Sequence, residues 1–213
     1  MEIKYTRKDF WLAVLAGEIV AWLSLPTLKN LTILDLLAKW EIGLRIFMLF
    51  WAFFVPVGAI FGLYLFYFIA NRKNKIGFLQ IGKYGVIGVL NTFLNAGIYN
   101  VLIFTTDIVS GFIIDLFFIF AFIITVTNSF FWNRYWTFEQ TSAESAGRDV
   151  FQFFFVSAIV AIVNMGILHI IVNVIGAPAG IDLKIWANIA LAFTIITAFF
   201  GNFFGYKFLV FKK

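Results

Sequence analysis

The stretch FIIDLFFIFAFIITVTNSFF, from Phe112 to Phe131, decides the fold class of this chain. It is apolar on every face of a helix and, at about 20 residues, is long enough to span a bilayer. A strand of a transmembrane barrel would instead alternate apolar and polar residues over about ten positions. Five similar stretches cover residues 10–28, 47–69, 84–104, 151–175 and 186–208. The sequence therefore predicts an all-α polytopic membrane protein with six transmembrane helices.

The composition excludes a soluble protein. Of the 213 residues, 62% are hydrophobic and 13% are charged, whereas a soluble domain is about 45–50% apolar. With a mean hydropathy of +0.97, no extramembrane catalytic domain is expected. The absence of cysteine excludes disulfides, thiolate metal sites and a cysteine nucleophile. The formal net charge of +5 is typical of cytoplasmic loops, so nucleic acid is not an expected partner.

Lysine and arginine predict the orientation of the chain. Twelve of the 16 basic residues lie near the two termini and in the second and fourth loops between the predicted spans, and four lie in the other three loops. The twelve are Lys4, Arg7, Lys8, Arg72, Lys73, Lys75, Lys83, Arg134, Arg148, Lys207, Lys212 and Lys213. Because basic residues are enriched on the cytoplasmic side, both termini are predicted to be cytoplasmic. We expect a multi-pass protein of the cytoplasmic membrane.

Residues 1–76 are predicted to form two N-terminal transmembrane helices with an outer interfacial segment between them. Glu18, in the middle of the first span, argues against a cleaved signal peptide. It is either a proton-coupling residue or a structural one. In the second span, the spacing of Gly58 and Gly62 is typical of close contact between helix backbones.

The rest of the chain contains an internal repeat. Residues 83–98 align with residues 152–167 at an offset of 69, and residues 134–138 align with residues 207–211 at an offset of 73. Each copy has two spans, so both copies have the same orientation. The last four helices are therefore predicted to be a parallel repeat of two helical hairpins.

Two motifs in this region are distinctive: KYGVIGVLNT at residues 83–92 and NSFFWNRYWTF at residues 128–138. On these motifs, residues 77–213 resemble the GtrA-like family of four-helix membrane proteins, which also supplies the membrane module of some dolichyl-phosphate-mannose synthases. The second copy departs from the pattern, with Lys207 at the position of Arg134. The resemblance defines a second domain at residues 77–213, after the N-terminal addition.

The resemblance implies work with polyprenyl-phosphate-linked sugars. The leading hypothesis is translocation of such a monosaccharide across the cytoplasmic membrane for cell-surface polysaccharide glycosylation. The alternative is a non-transporting adaptor that recruits or stabilises a membrane glycosyltransferase. The aspartates never form the Asp-x-Asp pair of a metal-dependent sugar-nucleotide transferase, so we expect no enzyme activity, cofactor or metal. The expected partners are the lipid-linked sugar, the glycosyltransferase and the bilayer; homo-oligomerisation stays open.

Polar residues inside the predicted spans are the candidate binding residues. Counted at 1.5 Å per residue from the predicted cytoplasmic ends, those of the last four helices converge on the inner half of the membrane. They either hydrogen-bond to one another across the bundle or line a cleft for the phosphate and sugar. The candidates are Asn91, Asn95, Asn128, Asn164, Asn202, Arg134, Lys207 and Trp136.

Three of these candidates have assigned roles. The planar guanidinium of Arg134 can bind the lipid phosphate through two hydrogen bonds, and Lys207 occupies the corresponding position. Trp136 can stack on the sugar ring. Positive-inside anchoring and an aromatic belt are the alternatives. His169 is expected near the outer end of its helix, in an interfacial hydrogen bond rather than a metal site.

Overall fold

The computed structural model describes residues 3–39, 43–139 and 146–205, and these residues form helices and no strand. The helices are α1 (Arg7–Asn30), α2 (Ile33–Lys39), α3 (Leu44–Lys73), α4 (Gly77–Thr106), α5 (Phe112–Trp132), α6 (Ala146–His169) and α7 (Leu183–Gly205). Two of them continue as π-helical turns, α5 through Asn133–Thr137 and α6 through Ile170–Ile175. The prediction of an all-α protein is confirmed for the described residues.

Five helical segments in the described part of the chain are long and apolar enough to cross a membrane. They are Arg7–Asn30, Leu44–Lys73, Gly77–Thr106, Phe112–Thr137 and Val150–Ile175. In α7 the apolar segment is the shorter Leu183–Ala198. The sixth span, the repeat and the orientation of the termini therefore stay predictions. The short α2 lies where the interfacial segment is expected.

Two helices begin earlier than the hydropathy predicts. At α1 the Thr6 hydroxyl accepts from the backbone N–H of Asp9 at 3.2 Å, and the Asp9 carboxylate accepts from the backbone N–H of Thr6 at 3.0 Å. This capping box starts the helix at Arg7. At α4 the helix begins at Gly77, so the placement of Lys83 in a loop is wrong: Lys83 lies inside α4 and is 4% exposed.

The first of two compact units comprises Met1–Gly97 and Thr127–Gln140. In it α1 packs against α3 at Gly17, where an added Cβ would lie 2.4 Å from the Cα of Pro56. At Gly82 of α4 an added Cβ would lie 2.5 Å from the Cβ of Phe66 of α3. Because no side chain fits at either position, these two glycines set the approach of the three helices.

The second unit comprises Ile98–Val126 and Thr141–Lys213. In it α6 packs against α7, and a Cβ added at Gly201 would lie 3.2 Å from a methyl group of Val160. The indole N–H of Trp186 donates to the carbonyl of Ile171 at 2.9 Å. This bond ties the π-helical turn after α6 to the start of α7. The fully buried apolar side chains of this unit include Ile103, Ile114, Leu168 and Leu191.

Candidate functional site

A buried ion pair joins α1 to the two motifs of the first unit. One oxygen of the Asp9 carboxylate accepts from the ammonium of Lys83 at 2.8 Å and from the indole N–H of Trp136 at 2.8 Å. The other oxygen accepts from the backbone N–H of Thr6 at 3.0 Å and from its hydroxyl at 2.8 Å. The ammonium of Lys83 also reaches the carboxylate of Glu139 at 3.2 Å. We call Asp9, Lys83, Trp136 and Glu139 the Lys83 cluster.

The ion pair of the Lys83 cluster is buried, and Glu139 at its edge is 66% exposed. The side chains of Lys83 and Asp9 are 5% and 2% exposed, and desolvating such charges costs several kcal/mol per ion unless each is paired and hydrogen-bonded. Trp136 is 1% exposed. The structure thus leaves no open face of the Trp136 ring for a sugar, and its role here is to hold the second motif against α1.

Arg134 lies beside this contact, in the π-helical turn Asn133–Thr137. Its guanidinium carbon is 5.9 Å from the ring centre of Phe130 and 6.0 Å from that of Tyr135. In the same turn the side-chain amide of Asn133 donates to the carbonyl of Ser129 at 2.9 Å. Single π-helical turns are frequent at functional sites. Unlike Trp136, Arg134 is only partly buried.

The predicted asparagines come together in part. The side-chain amide of Asn128 donates to the side-chain carbonyl of Asn91 at 2.9 Å, which joins α5 to α4 within the first unit. Asn95, one turn further along α4, is 8% exposed. In the second unit the buried Asn164 of α6 accepts from the hydroxyl of Thr197 of α7.

The structure does not describe the side chains of two predicted site residues. Asn202 lies in the last turns of α7 and Lys207 beyond its end, so both side chains lie outside the described residues. Their assignment to the site stays a prediction.

A second pair of hydrogen-bonded asparagines was not predicted from the sequence. Each of Asn100 and Asn188 donates its side-chain N–H to the side-chain carbonyl of the other, both at 2.7 Å. The two residues are 0% and 7% exposed. They lie in the second unit, on α4 and α7, and 88 residues of sequence separate them.

Two further carboxylates lie inside candidate spans. Glu18 is partly buried and accepts from the indole N–H of Trp22, one turn away, at 3.1 Å. Asp115 of α5 is 3% exposed. Asp115 lies 2.5 Å from the Nδ1 atom of His169 of α6. The Asp115 signal was visible in the sequence, as a lone carboxylate in the apolar stretch 112–131.

Each of the two units contains a cavity among its described residues. A groove of about 420 Å³ lies among α1, α3 and α4 of the first unit, lined by glycines and apolar side chains. A Cβ added at Gly58, Gly62 or Gly85 meets no atom within 4 Å, so the Gly58 and Gly62 pair faces the groove rather than a close helix contact. A second cavity, of about 280 Å³, is bordered by Asn164 and Thr197 in the second unit.

The described part of the chain contains no cluster of side chains that could hold a metal ion. Among residues 3–39, 43–139 and 146–205, no group of three or more histidine, aspartate or glutamate side chains is placed to hold an ion. His169 instead contacts Asp115 and the side chain of Asn173, the latter at 3.1 Å.

The apolar helices with polar pairs inside them define a multi-pass α-helical membrane protein. The sequence profile described as "GtrA/DPMS, transmembrane domain" matches residues 83–211, which is more than half of the chain. The protein therefore belongs to the GtrA/DPMS transmembrane-domain family. No curated protein and no solved structure matches the chain. Membership fits a membrane protein of lipid-linked sugar glycosylation, and this domain is typically a non-catalytic membrane module.

Proposed function

We propose that the protein translocates a polyprenyl-phosphate-linked monosaccharide across the cytoplasmic membrane for glycosylation of cell-surface polysaccharide. The observation that carries the proposal is the Asn91 and Asn128 pair, two amides placed inside candidate spans and within the residues matched by the family profile. A hydroxyl-rich headgroup needs such groups, because a polar headgroup crossing bare hydrocarbon loses its hydrogen bonds to water.

In this proposal the amides exchange partners. Asn91 and Asn128 hydrogen-bond to each other at 2.9 Å without substrate and to sugar hydroxyls with it. Because one hydrogen bond replaces another, the net free-energy change is small, about 0.5–1.5 kcal/mol per bond. Asn95, buried one turn further along α4, extends the polar path within the first unit. Asn164, buried in the second unit, borders the cavity of that unit and stays a predicted binding residue.

Arg134 binds the phosphate of the lipid carrier in this proposal. A guanidinium binds phosphate oxygens through two parallel N–H bonds, and Arg134 is the partly exposed cation of the second motif. Other cations also contact that motif: Lys83, which pairs with Asp9 at 2.8 Å, and the exposed Lys8, which donates to the backbone carbonyl of Tyr135 at 3.1 Å. The prenyl chain occupies the groove of about 420 Å³, whose lining is apolar or glycine throughout.

The proposed orientation places Arg134 on the cytoplasmic side. The chain has no native cysteine, so single cysteines report on topology. Cysteines replacing Ile108 and Gly180 react with an impermeant thiol reagent in intact cells, and one replacing Lys75 reacts only after permeabilisation. The opposite pattern overturns the orientation.

Reconstitution tests the activity. The purified protein enters liposomes with a fluorescent or periodate-accessible polyprenyl-phosphate monosaccharide, and transbilayer exchange is measured against protein-free liposomes. Exchange above the protein-free rate supports translocation. The double variant Asn91→Leu/Asn128→Leu removes the amides at similar volume, and we expect exchange to fall by about tenfold or more, the equivalent of at least one hydrogen bond to the substrate.

The chain supplies a control for that variant. Asn100 and Asn188 share two hydrogen bonds at 2.7 Å, where Asn91 and Asn128 have one at 2.9 Å, and interhelical hydrogen bonds of this kind stabilise a bundle by about 0.6–2 kcal/mol each. Asn100→Leu/Asn188→Leu should therefore lower stability at least as much as the first double variant but leave exchange near the wild-type rate. Equal loss in both variants would assign the amides to packing.

The adaptor function is the second candidate. The observation that favours it is that Asn91 and Asn128 satisfy each other, as amides do when they only hold helices together. No exchange above the protein-free rate, together with co-purification of a membrane glycosyltransferase, supports the adaptor.

A further inference from the structure

The contacts between helices follow the two offsets of the internal repeat. The offset of 69 carries Asn100 to His169, and the offset of 73 carries Asp115 to Asn188. Asn100 contacts Asn188, and His169 contacts Asp115. The offsets come from other residues, so the agreement is independent of the contacts themselves.

A second pair of contacts also follows the two offsets. Asn91 and Asn128 hydrogen-bond in the first unit, and the offsets carry them to Val160 and Gly201. In the second unit, the Gly201 backbone lies against Val160, close enough that an added Cβ would be 3.2 Å from it. Corresponding positions of the two hairpins thus make corresponding contacts, with different chemistry at each.

The contact of Asn100 with Asn188 and the contact of Asp115 with His169 differ in whether they contain titratable groups. The pair of asparagines is closed, because each amide both donates and accepts at 2.7 Å, and it has no titratable group. At the equivalent position stand a carboxylate and an imidazole, 2.5 Å apart. Each of these groups can gain or lose a proton.

The carboxylate is incompletely satisfied. One oxygen of Asp115 faces His169, but the other is buried without a hydrogen-bond partner. The hydroxyl of Tyr99 on α4, which is 0% exposed, is likewise buried without a partner. A buried charged oxygen without a donor is costly, and an added proton on the pair lowers that charge. The side chain of His169 is 47% exposed and gives protons a route in.

We propose that Asp115 and His169 form a proton-binding site and that proton binding there is coupled to the translocation proposed above, on which the coupling rests. Before uptake, the Nδ1–H of a neutral His169 donates to the Asp115 carboxylate and the pair carries one negative charge. Uptake adds one proton from water to Nε2, which gives an imidazolium paired with the carboxylate and no net charge. Release returns that proton to water, and no other bond changes.

Other polar and charged groups of the described residues lie at this end of the helices, among them the exposed Asp182, which accepts from the backbone N–H of Lys184 at 2.8 Å. On α4 the neighbour is Tyr99, whose buried hydroxyl has no hydrogen-bond partner. Beyond α4, Asp107 pairs with Lys184 of α7 at 2.7 Å. On α6 the neighbour is the uncharged Asn173. We therefore place the proton on the contact of Asp115 with His169.

The full chain offers a direct readout of the site. His169 is its only histidine, so ¹⁵N-labelled histidine in the reconstituted protein gives a single imidazole signal. We expect it to titrate with pH, and the titration midpoint to differ between wild type and Asp115→Asn. An unchanged midpoint, or an imidazole that never titrates, overturns the proton site.

The coupling has its own test, with a control taken from the repeat. Asp115→Asn/His169→Asn installs the amide pair found at Asn100 and Asn188. We expect exchange to vary with pH in wild type and to be flat in this variant, while the variant keeps its fold by circular dichroism. A pH profile identical to wild type overturns the coupling. Absence of exchange at every pH overturns the coupling and the translocation together, but the histidine titration still decides the proton site.

Discussion

Asp9 and Asp115 are both aspartates in the first turn of an apolar helix, and they are 2% and 3% exposed. Their surroundings differ. Both oxygens of Asp9 accept hydrogen bonds, from Lys83, Trp136 and Thr6. Asp115 has one contact, to His169, and an oxygen without a partner.

The difference separates two uses of a buried carboxylate. When every acceptor is filled, as at Asp9, the charge is held in one state and the contact fixes helices. When one acceptor stays empty, as at Asp115, the buried charge lacks a hydrogen bond and the contact is not fixed by a full set of donors. Burial alone does not distinguish these cases; the count of donors does.

The largest effect is expected on breaking the filled carboxylate. Asp9→Asn removes the buried counter-charge of Lys83 and leaves it only the largely exposed Glu139 carboxylate. Removing one partner of a buried ion pair costs about 3–5 kcal/mol. The free energy of unfolding in detergent measures this loss. The double variant Asp9→Asn/Lys83→Met removes both charges and should recover most of it. A single variant as stable as wild type contradicts the assignment of the Lys83 cluster as a structural contact.

The next largest effect is expected at Arg134, which is partly exposed beside the Lys83 cluster. Arg134→Ala should slow exchange by about ten-fold to a hundred-fold, since a hydrogen bond to a charged group contributes about 1.5–3 kcal/mol. Arg134→Lys keeps the charge but loses the planar fork, so it should recover only part of the rate.

Arg72 is the matched control for Arg134. It also lies over an aromatic ring, 4.9 Å from the centre of Phe68, and near the end of a candidate span. We expect Arg72→Ala to leave the exchange rate near wild type. Full activity in Arg134→Lys would instead favour a topological anchor, because the positive-inside effect depends on charge rather than geometry.

Hydropathy and spacing predicted much of this architecture. The apolar stretches located the five candidate spans, and the GtrA-like motifs identified the family. The spacing of the asparagines indicated polar contacts, and the Asn91 and Asn128 pair is one of them. Short-range sequence patterns are sufficient to predict these features because each depends on the residues of a single helix or a single motif.

The Lys83 cluster was not predictable in this way. Hydropathy assigns a lysine to a loop, and its partner Asp9 is 74 positions earlier in the chain, in a helix outside the family domain. The contact of Asp115 with His169 was easier to predict from the sequence. Applied to every polar residue, the offsets of 69 and 73 would have placed Asp115 beside His169 once the Asn100 and Asn188 pair was known.

A smaller effect is expected when the groove of the first unit is filled. An added Cβ at Gly62 meets no atom within 4 Å, so Gly62→Leu should fold. Its side chain would displace about two methylene groups of a bound prenyl chain, at about 0.8 kcal/mol each, which corresponds to about tenfold weaker binding. Gly88→Leu, on α4 and outside the groove, is the control. Equal exchange in both variants would remove the prenyl chain from the groove.

The smallest effect is expected at the open carboxylate. Asp115→Asn keeps an oxygen that can accept from His169 and removes a charge that was only half satisfied. The change of the acceptor in that bond from charged to neutral and the removal of one unpartnered charged oxygen oppose each other, and each is of the order of about 1 kcal/mol. The free energy of unfolding should therefore change by less than about 1 kcal/mol, several times less than for Asp9→Asn under the same conditions. A loss as large as that of Asp9→Asn would mean that Asp115 and His169 form a structural ion pair like that of the Lys83 cluster, and the contrast between a filled and an open carboxylate would fail.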